Sequence, residues 1–113
     1  MLFRSFEALL EDLVRLLGAD HPRTLDTRGN LAWVVREAGD PSRAVGLFET
    51  LLEDLVRVLG AEHPDTLVTR NNLALAVREA GDPAGAVGLF EALLEDRLRI
   101  LIEIGRASCR DRV

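Results

Sequence analysis

The chain has 113 residues, 48% of them hydrophobic and 29% charged, which is ordinary globular composition and enough for one domain with a core of its own. A formal charge of −5 with no basic cluster offers no landing surface to a phosphate backbone or an anionic membrane, so neither nucleic acid nor membrane is an expected partner. Met1 to Gly18 carries Glu7, Glu11 and Asp12 where a leader would be uncharged, and no apolar run approaches the ~18 residues of a membrane span, which points to a cytoplasmic protein. The only cysteine, Cys109, leaves no internal disulfide.

From residue 3 to residue 17, Phe3, Phe6, Leu9, Leu10, Leu13, Val14, Leu16 and Leu17 recur at helical spacing, with Glu7, Glu11, Asp12 and Arg15 on the other side. Gly18 stops this helix as a C-terminal glycine does, and Pro22 then sits well at a first helical position. A second helix is predicted from about Pro22 to Ala38. Gly39-Asp40-Pro41 makes a tight turn in which glycine leaves the helix, aspartate caps the next one and proline starts it. A third helix runs to about Leu59. The same signals then return: Gly60, Pro64, a fourth helix to Ala80, Gly81-Asp82-Pro83, and a fifth helix to about Leu101.

The return is a tandem repeat. Residues 48–89 are identical to residues 6–47 at 32 of 42 positions, including Gly-Ala-acid-His-Pro at 18–22 and 60–64 and Arg-Glu-Ala-Gly-Asp-Pro at 36–41 and 78–83. A period of this length marks one supersecondary unit stacked on copies of itself, because a single unit cannot bury its own apolar face. With the helix after each His-Pro named A and its partner in the unit named B, the order is B, A, B, A, B. Short connections make this an all-α helical-hairpin solenoid and not a closed bundle.

Asn30-Leu31-Ala32, Val35, Gly39, Ala44 and Phe48, with Asn72-Leu73-Ala74, Val77, Gly81, Ala86 and Phe90, resemble the landmarks of the tetratricopeptide repeats. His-Pro-x-Thr-Leu at 21–25 and 63–67 is similar to the 42-residue form found in kinesin light chains and many bacterial regulatory proteins. The resemblance implies a right-handed solenoid over residues 1–101: an orphan helix B (3–17), repeat 1 (22–59) and repeat 2 (64–101). The Ala-x-x-x-Phe spacing places Phe48 and Phe90 between hairpins. Arg28 and Arg70 stand where the family usually has an aromatic, and Val35 and Val77 where it has tyrosine.

At residue 102 the period fails, and residues 102–113 form a non-repeat tail. Glu103 to Val113 resembles an in-frame translation of a sequencing-library adapter at every position but Asp111. The segment is set aside from functional reasoning as an artefact, in the way a fusion scar would be, the alternative being a genuine disordered C-terminus.

Candidates for chemistry are few. Glu-Asp pairs at 11–12, 53–54 and 95–96 recur once per repeat beside apolar neighbours, the look of a solvated helix edge. His21 and His63 are each lone within a unit and suffice as helix starters, while a metal site needs more donors. No phosphate loop or nucleophile with a base at motif spacing is present, so no cofactor, metal or enzymatic activity is expected.

The differences between copies are more informative: Asp26 against Val68, Gly29 against Asn71, and Trp33 against Leu75, spaced i, i+3, i+7, with Val34 against Ala76 beside them. The family resemblance turns this face of helix A into a concave groove where peptides lie. It would comprise Asp26, Asn30, Trp33, Arg36 and Glu37 from one helix A, and Val68, Asn71, Asn72, Leu75, Arg78 and Glu79 from the next. Asparagine amides can hold an extended backbone through donor and acceptor, and arginine suits carboxylates. Trp33 and Leu75 have a second reading as filler between neighbouring A helices. The implied function is a non-catalytic scaffold for a protein or peptide segment, within a larger bacterial regulatory protein. The alternative is a self-association module that stacks through exposed end helices.

Overall fold

The computed structural model describes the backbone from Leu2 to Asp111 and the side chains of residues 5–108. It contains five helices: α1 (Leu2–Leu17), α2 (Pro22–Glu37), α3 (Pro41–Leu59), α4 (Pro64–Glu79) and α5 (Pro83–Asp111). Each packs on its neighbours in sequence, and α2 also touches α4, the pattern of hairpins stacked in a solenoid. The resulting slab measures 57 × 38 × 18 Å.

The repeated punctuation acts as its chemistry requires. Gly39 adopts φ 95°, and the N–H groups of Gly39 and Asp40 donate to the carbonyls of Arg36 and Val35, the paired bonds that close a helix through a left-handed residue. The Asp40 Oδ1 then accepts the Arg43 N–H at 3.2 Å, so the same turn caps α3. His21 and His63 are N-caps whose Nδ1 atoms accept the N–H of Arg23 and Asp65, both at 3.1 Å. The motif threonines add a tie across each loop. Thr24 and Thr66 are fully buried, and each Oγ1 donates to the carbonyl of Gly18 or Gly60 at 2.8 Å, fixing the end of one helix to the start of the next.

The main core lies where α2, α3 and α4 meet, built from Leu31, Ala32, Val35, Ala44, Phe48, Leu73 and Ala76. The alanines let backbones approach, and Phe48, 0% exposed, fills the space between hairpins. A second cluster of Leu25, Leu51 and Leu55, with Leu59 against it, closes the other end of the first hairpin.

Two expectations need correction. Phe90 is half-buried where Phe48 is fully buried, because no helix packs over α5 as α4 packs over α3. Helix α5 also does not stop near Leu101 but continues to Asp111. The Gly-Ala-acid-His-Pro stop is missing there, and a lone Gly105 lowers helix propensity by only about 1 kcal/mol without ending the helix. The side chains of residues 102–108 are all exposed, and residues 112 and 113 of the expected tail lie outside the described residues.

Candidate functional site

The stacking of α2 beside α4, over α3, leaves a cavity of about 200 Å³. Its floor is Leu25 together with Phe48, Leu51 and Leu55 of α3. Asp26, Gly29, Asn30 and Trp33 of α2 form one wall, and Asp65, Val68, Thr69 and Asn72 of α4 form the other. Of the groove residues expected from sequence, Asp26, Asn30, Trp33, Val68 and Asn72 therefore meet at one place. The spacing 26, 30, 33 and its copy 68, 72 is one helical stripe, so the inward face of both helices is set by their 3.6-residue period.

Arg36, Glu37, Asn71, Leu75, Arg78 and Glu79 do not line the cavity. Position 29, the counterpart of Asn71, faces α3: a Cβ built on Gly29 would stand 3.6 Å from the Leu51 Cδ2. Arg36 is not a free cation at the groove edge. Its side chain is only 14% exposed, its guanidinium carbon lies 4.1 Å from the centroid of the Trp33 ring, and its Nε stands 3.3 Å from the Glu79 Oε2. Nε and Nη1 are buried without a well-aligned hydrogen-bond acceptor, so Glu79 holds them by charge rather than by a directed bond. Trp33 Nε1 donates to Glu37 Oε1 at 2.8 Å, while the ring packs against the main core. Trp33 thus packs against the core on one side and lines the cavity on the other. Arg78, the copy of Arg36, is exposed because no further helix A brings it a glutamate.

Asn30 is exposed and Asn72 half-buried, and among the described residues neither carboxamide makes a hydrogen bond. Each carboxamide therefore keeps a donor and an acceptor without a partner among the described residues.

The recurring Glu-Asp pairs are more than a solvated edge. Arg28 Nη1 donates to Asp54 Oδ2 and Arg70 Nη1 to Asp96 Oδ2, both at 2.6 Å, joining helix A to helix B within each hairpin. Arg57 adds bonds to Asp20 Oδ1 at 2.8 Å and Asp54 Oδ1 at 3.2 Å, and Arg99 bonds Glu62 Oε1 at 2.8 Å. The Arg28 hydrogen bond pulls the Asp54 carboxyl below the usual carboxylate range, as Arg70 does for Asp96 and Arg57 for Asp20. The signal for these bridges was an arginine and an aspartate 26 residues apart in both copies, at the position where the family usually has an aromatic.

Among the described residues no three metal-ligating side chains gather, and no helix is long and apolar enough to cross a membrane.

A family model described as tetratricopeptide repeat matches residues 3–55 and 43–99. The chain is a tetratricopeptide repeat protein. Two solved structures from Podosopora anserina, described as kinesin light chain nearly identical TPR-like repeats, one of them a variant with a single substitution, share its fold. They superpose with TM-scores of 0.76 for the variant and 0.75 for the other, at 24% identity, over 88% and 87% of this repeat protein. The aligned part spans 47% and 46% of those two chains, so the repeat protein covers about half the length of each. No curated protein sequence matches it.

Proposed function

We propose that this tetratricopeptide repeat protein is a non-catalytic, cytoplasmic scaffold that holds an extended protein segment in the groove between α2 and α4, as part of a larger bacterial regulatory protein. The observation that carries the reading is the convergence of Asp26, Asn30, Trp33, Val68 and Asn72 on one cavity, with two carboxamides left without partners among the described residues. An extended backbone exposes an N–H and a C=O at every residue, and the two amides match that pattern. Arg78, exposed and without an ion-pair partner among the described residues, belongs to the same surface beyond the cavity.

Calorimetry against a partner captured with the intact protein tests this. Asn72→Ala is expected to weaken binding by roughly 1–3 kcal/mol, the scale for an unsatisfied hydrogen bond, with the melting temperature barely changed. Glu53→Ala, on helix B, is expected to change neither. Equal losses from both variants, or loss only where the melt also shifts, would sink the groove assignment.

A second reading, self-association, is favoured by one specific observation. Leu25 is 3% exposed, packed with Leu51 and Leu55 of α3, whereas its copy Leu67 is half-buried and borders a cavity of about 350 Å³ with Val68, Ile100 and Leu101, rimmed by Glu62 and Arg97. A mass that rises with concentration in sedimentation equilibrium supports it, and one constant mass at all concentrations removes it.

A further inference from the structure

The two repeats differ at ten of 42 positions, and four of those differences place a side chain or a glycine in the α2–α4 cavity: Asp26 against Val68, Gly29 against Asn71, Trp33 against Leu75, and Arg23 against Asp65. The other six lie outside it. Two of the changes determine its charge. Asp26 and Asp65 both line it, and no arginine or histidine does. Of the other acids, Asp12, Asp20, Asp54, Asp96, Glu7, Glu62 and Glu79 each lie within 4 Å of an arginine, while the exposed Glu11, Glu37, Asp40, Glu49, Glu53, Asp82, Glu91 and Glu95 have none among the described residues. Asp26 has no such partner among the described residues, and Asp65 has only His63, at 4.0 Å. Had α4 kept the arginine that α2 carries at position 23, a cation would stand where Asp65 now lines the cavity.

Size and lining narrow the occupant further. At about 200 Å³ the cavity is below the ~300–1,000 Å³ typical of sites for whole small molecules, and it fits one long side chain. Leu51, Trp33 and Val68 are suited to an aliphatic stem, and a carboxylate on each wall is suited to a charged head. One face of the Trp33 ring already carries Arg36, so the ring contributes apolar wall and not a free cation–π platform.

We infer that this cavity takes one basic side chain, lysine or arginine, from an extended protein segment lying in the groove, with Asp26 and Asp65 receiving the cation. The inference rests on the groove reading above and adds the chemistry of the partner. Trp33 is the only tryptophan and lines this cavity, so its fluorescence and its indole N–H resonance respond to occupancy there, as they also do to the core it packs against and to Glu37.

The test uses the whole chain at low salt and nine-residue peptides of alternating serine and alanine that differ only at the central residue: arginine, lysine, norleucine or glutamate. Arginine and lysine peptides are expected to shift the Trp33 signals saturably, at least threefold more tightly than norleucine or glutamate. Asp26→Asn and Asp65→Asn are each expected to remove most of that preference while circular dichroism stays unchanged. Glu53→Gln, which makes the same charge change on helix B, is expected to leave it intact. A Trp33 response without preference for the basic peptides overturns the basic side chain and leaves the groove standing. A preference weakened equally by Glu53→Gln also overturns it, by showing attraction to the net charge. No Trp33 response to any peptide overturns both the inference and the groove.

Discussion

Phe48 shows how much of the stability rests on single side chains. It is fully buried at the junction of α2, α3 and α4, where truncation leaves a cavity that rigid helices cannot close. Phe48→Ala is therefore expected to destabilise the protein by about 3–5 kcal/mol, whereas Phe90→Ala, at the half-buried copy of the site, should cost clearly less. Thermal melts of the two variants check this, and coincident curves for Phe48→Ala and the parent would show the assigned core to be wrong. Asp54 carries the pH dependence. Arg28, and after it Arg57, hold its folded-state pKa below the unfolded value of about 3.9, so the bond contributes fully above that value and is lost as pH falls through the lower, folded one. The Arg28 and Asp54 side chains are partly exposed, which limits the pair to about 1 kcal/mol, or roughly 5 °C in melting temperature for a domain of this size. Asp54→Asn should show that deficit at pH 7, and the gap to the parent should narrow as pH falls below about 4. A gap unchanged at strongly acidic pH would mean that the pair is not its source.

At the scale of elements, α5 is the informative case. Its first part repeats α3 and packs on α4, but beyond Leu101 it continues as a helix with every described side chain exposed. A helical extension without tertiary contacts is marginal in water, since isolated helices gain little from propensity alone. Deleting residues 103–113 is accordingly expected to leave the melting temperature within about 2 °C of the parent. A drop of several degrees would show that the segment packs, and the reading of it as foreign to the array would lose its structural consequence. Helices α2 and α4 show the converse, where nearly identical sequences take unequal environments. Arg36 is pinned between Trp33 and Glu79, while Arg78 is exposed.

For the whole molecule, stability is a sum of hairpins and the interfaces between them, and an end hairpin has one interface fewer. Leu94, Leu98 and Leu101 on α5 are more than half exposed, which is the apolar face an adjoining hairpin would cover. The isolated chain is therefore expected to be marginally stable or to associate, and adding one further repeat after Leu101 should raise the melting temperature. A stable monomer at all concentrations, unchanged by such an addition, would show that the α5 face needs no cover.

The amino-acid sequence by itself determined the number, type and order of the helices, because their signals are local: apolar period, glycine with positive φ, aspartate or histidine at the cap, proline at the first turn. The 3.6-residue period also showed which residues of each A helix share a face, while the inward direction of that face came only from the family resemblance. Where α5 ends was legible only in part, since the missing stop marks the end of the period and not the end of a helix. Only the tertiary structure decided that Arg28 and Arg70 answer Asp54 and Asp96, that Asp65 joins Asp26 at the cavity, and that Arg36 is drawn inward beneath Glu79. Each of these depends on the distance and angle between different helices, which many side chains set jointly and no local stretch encodes.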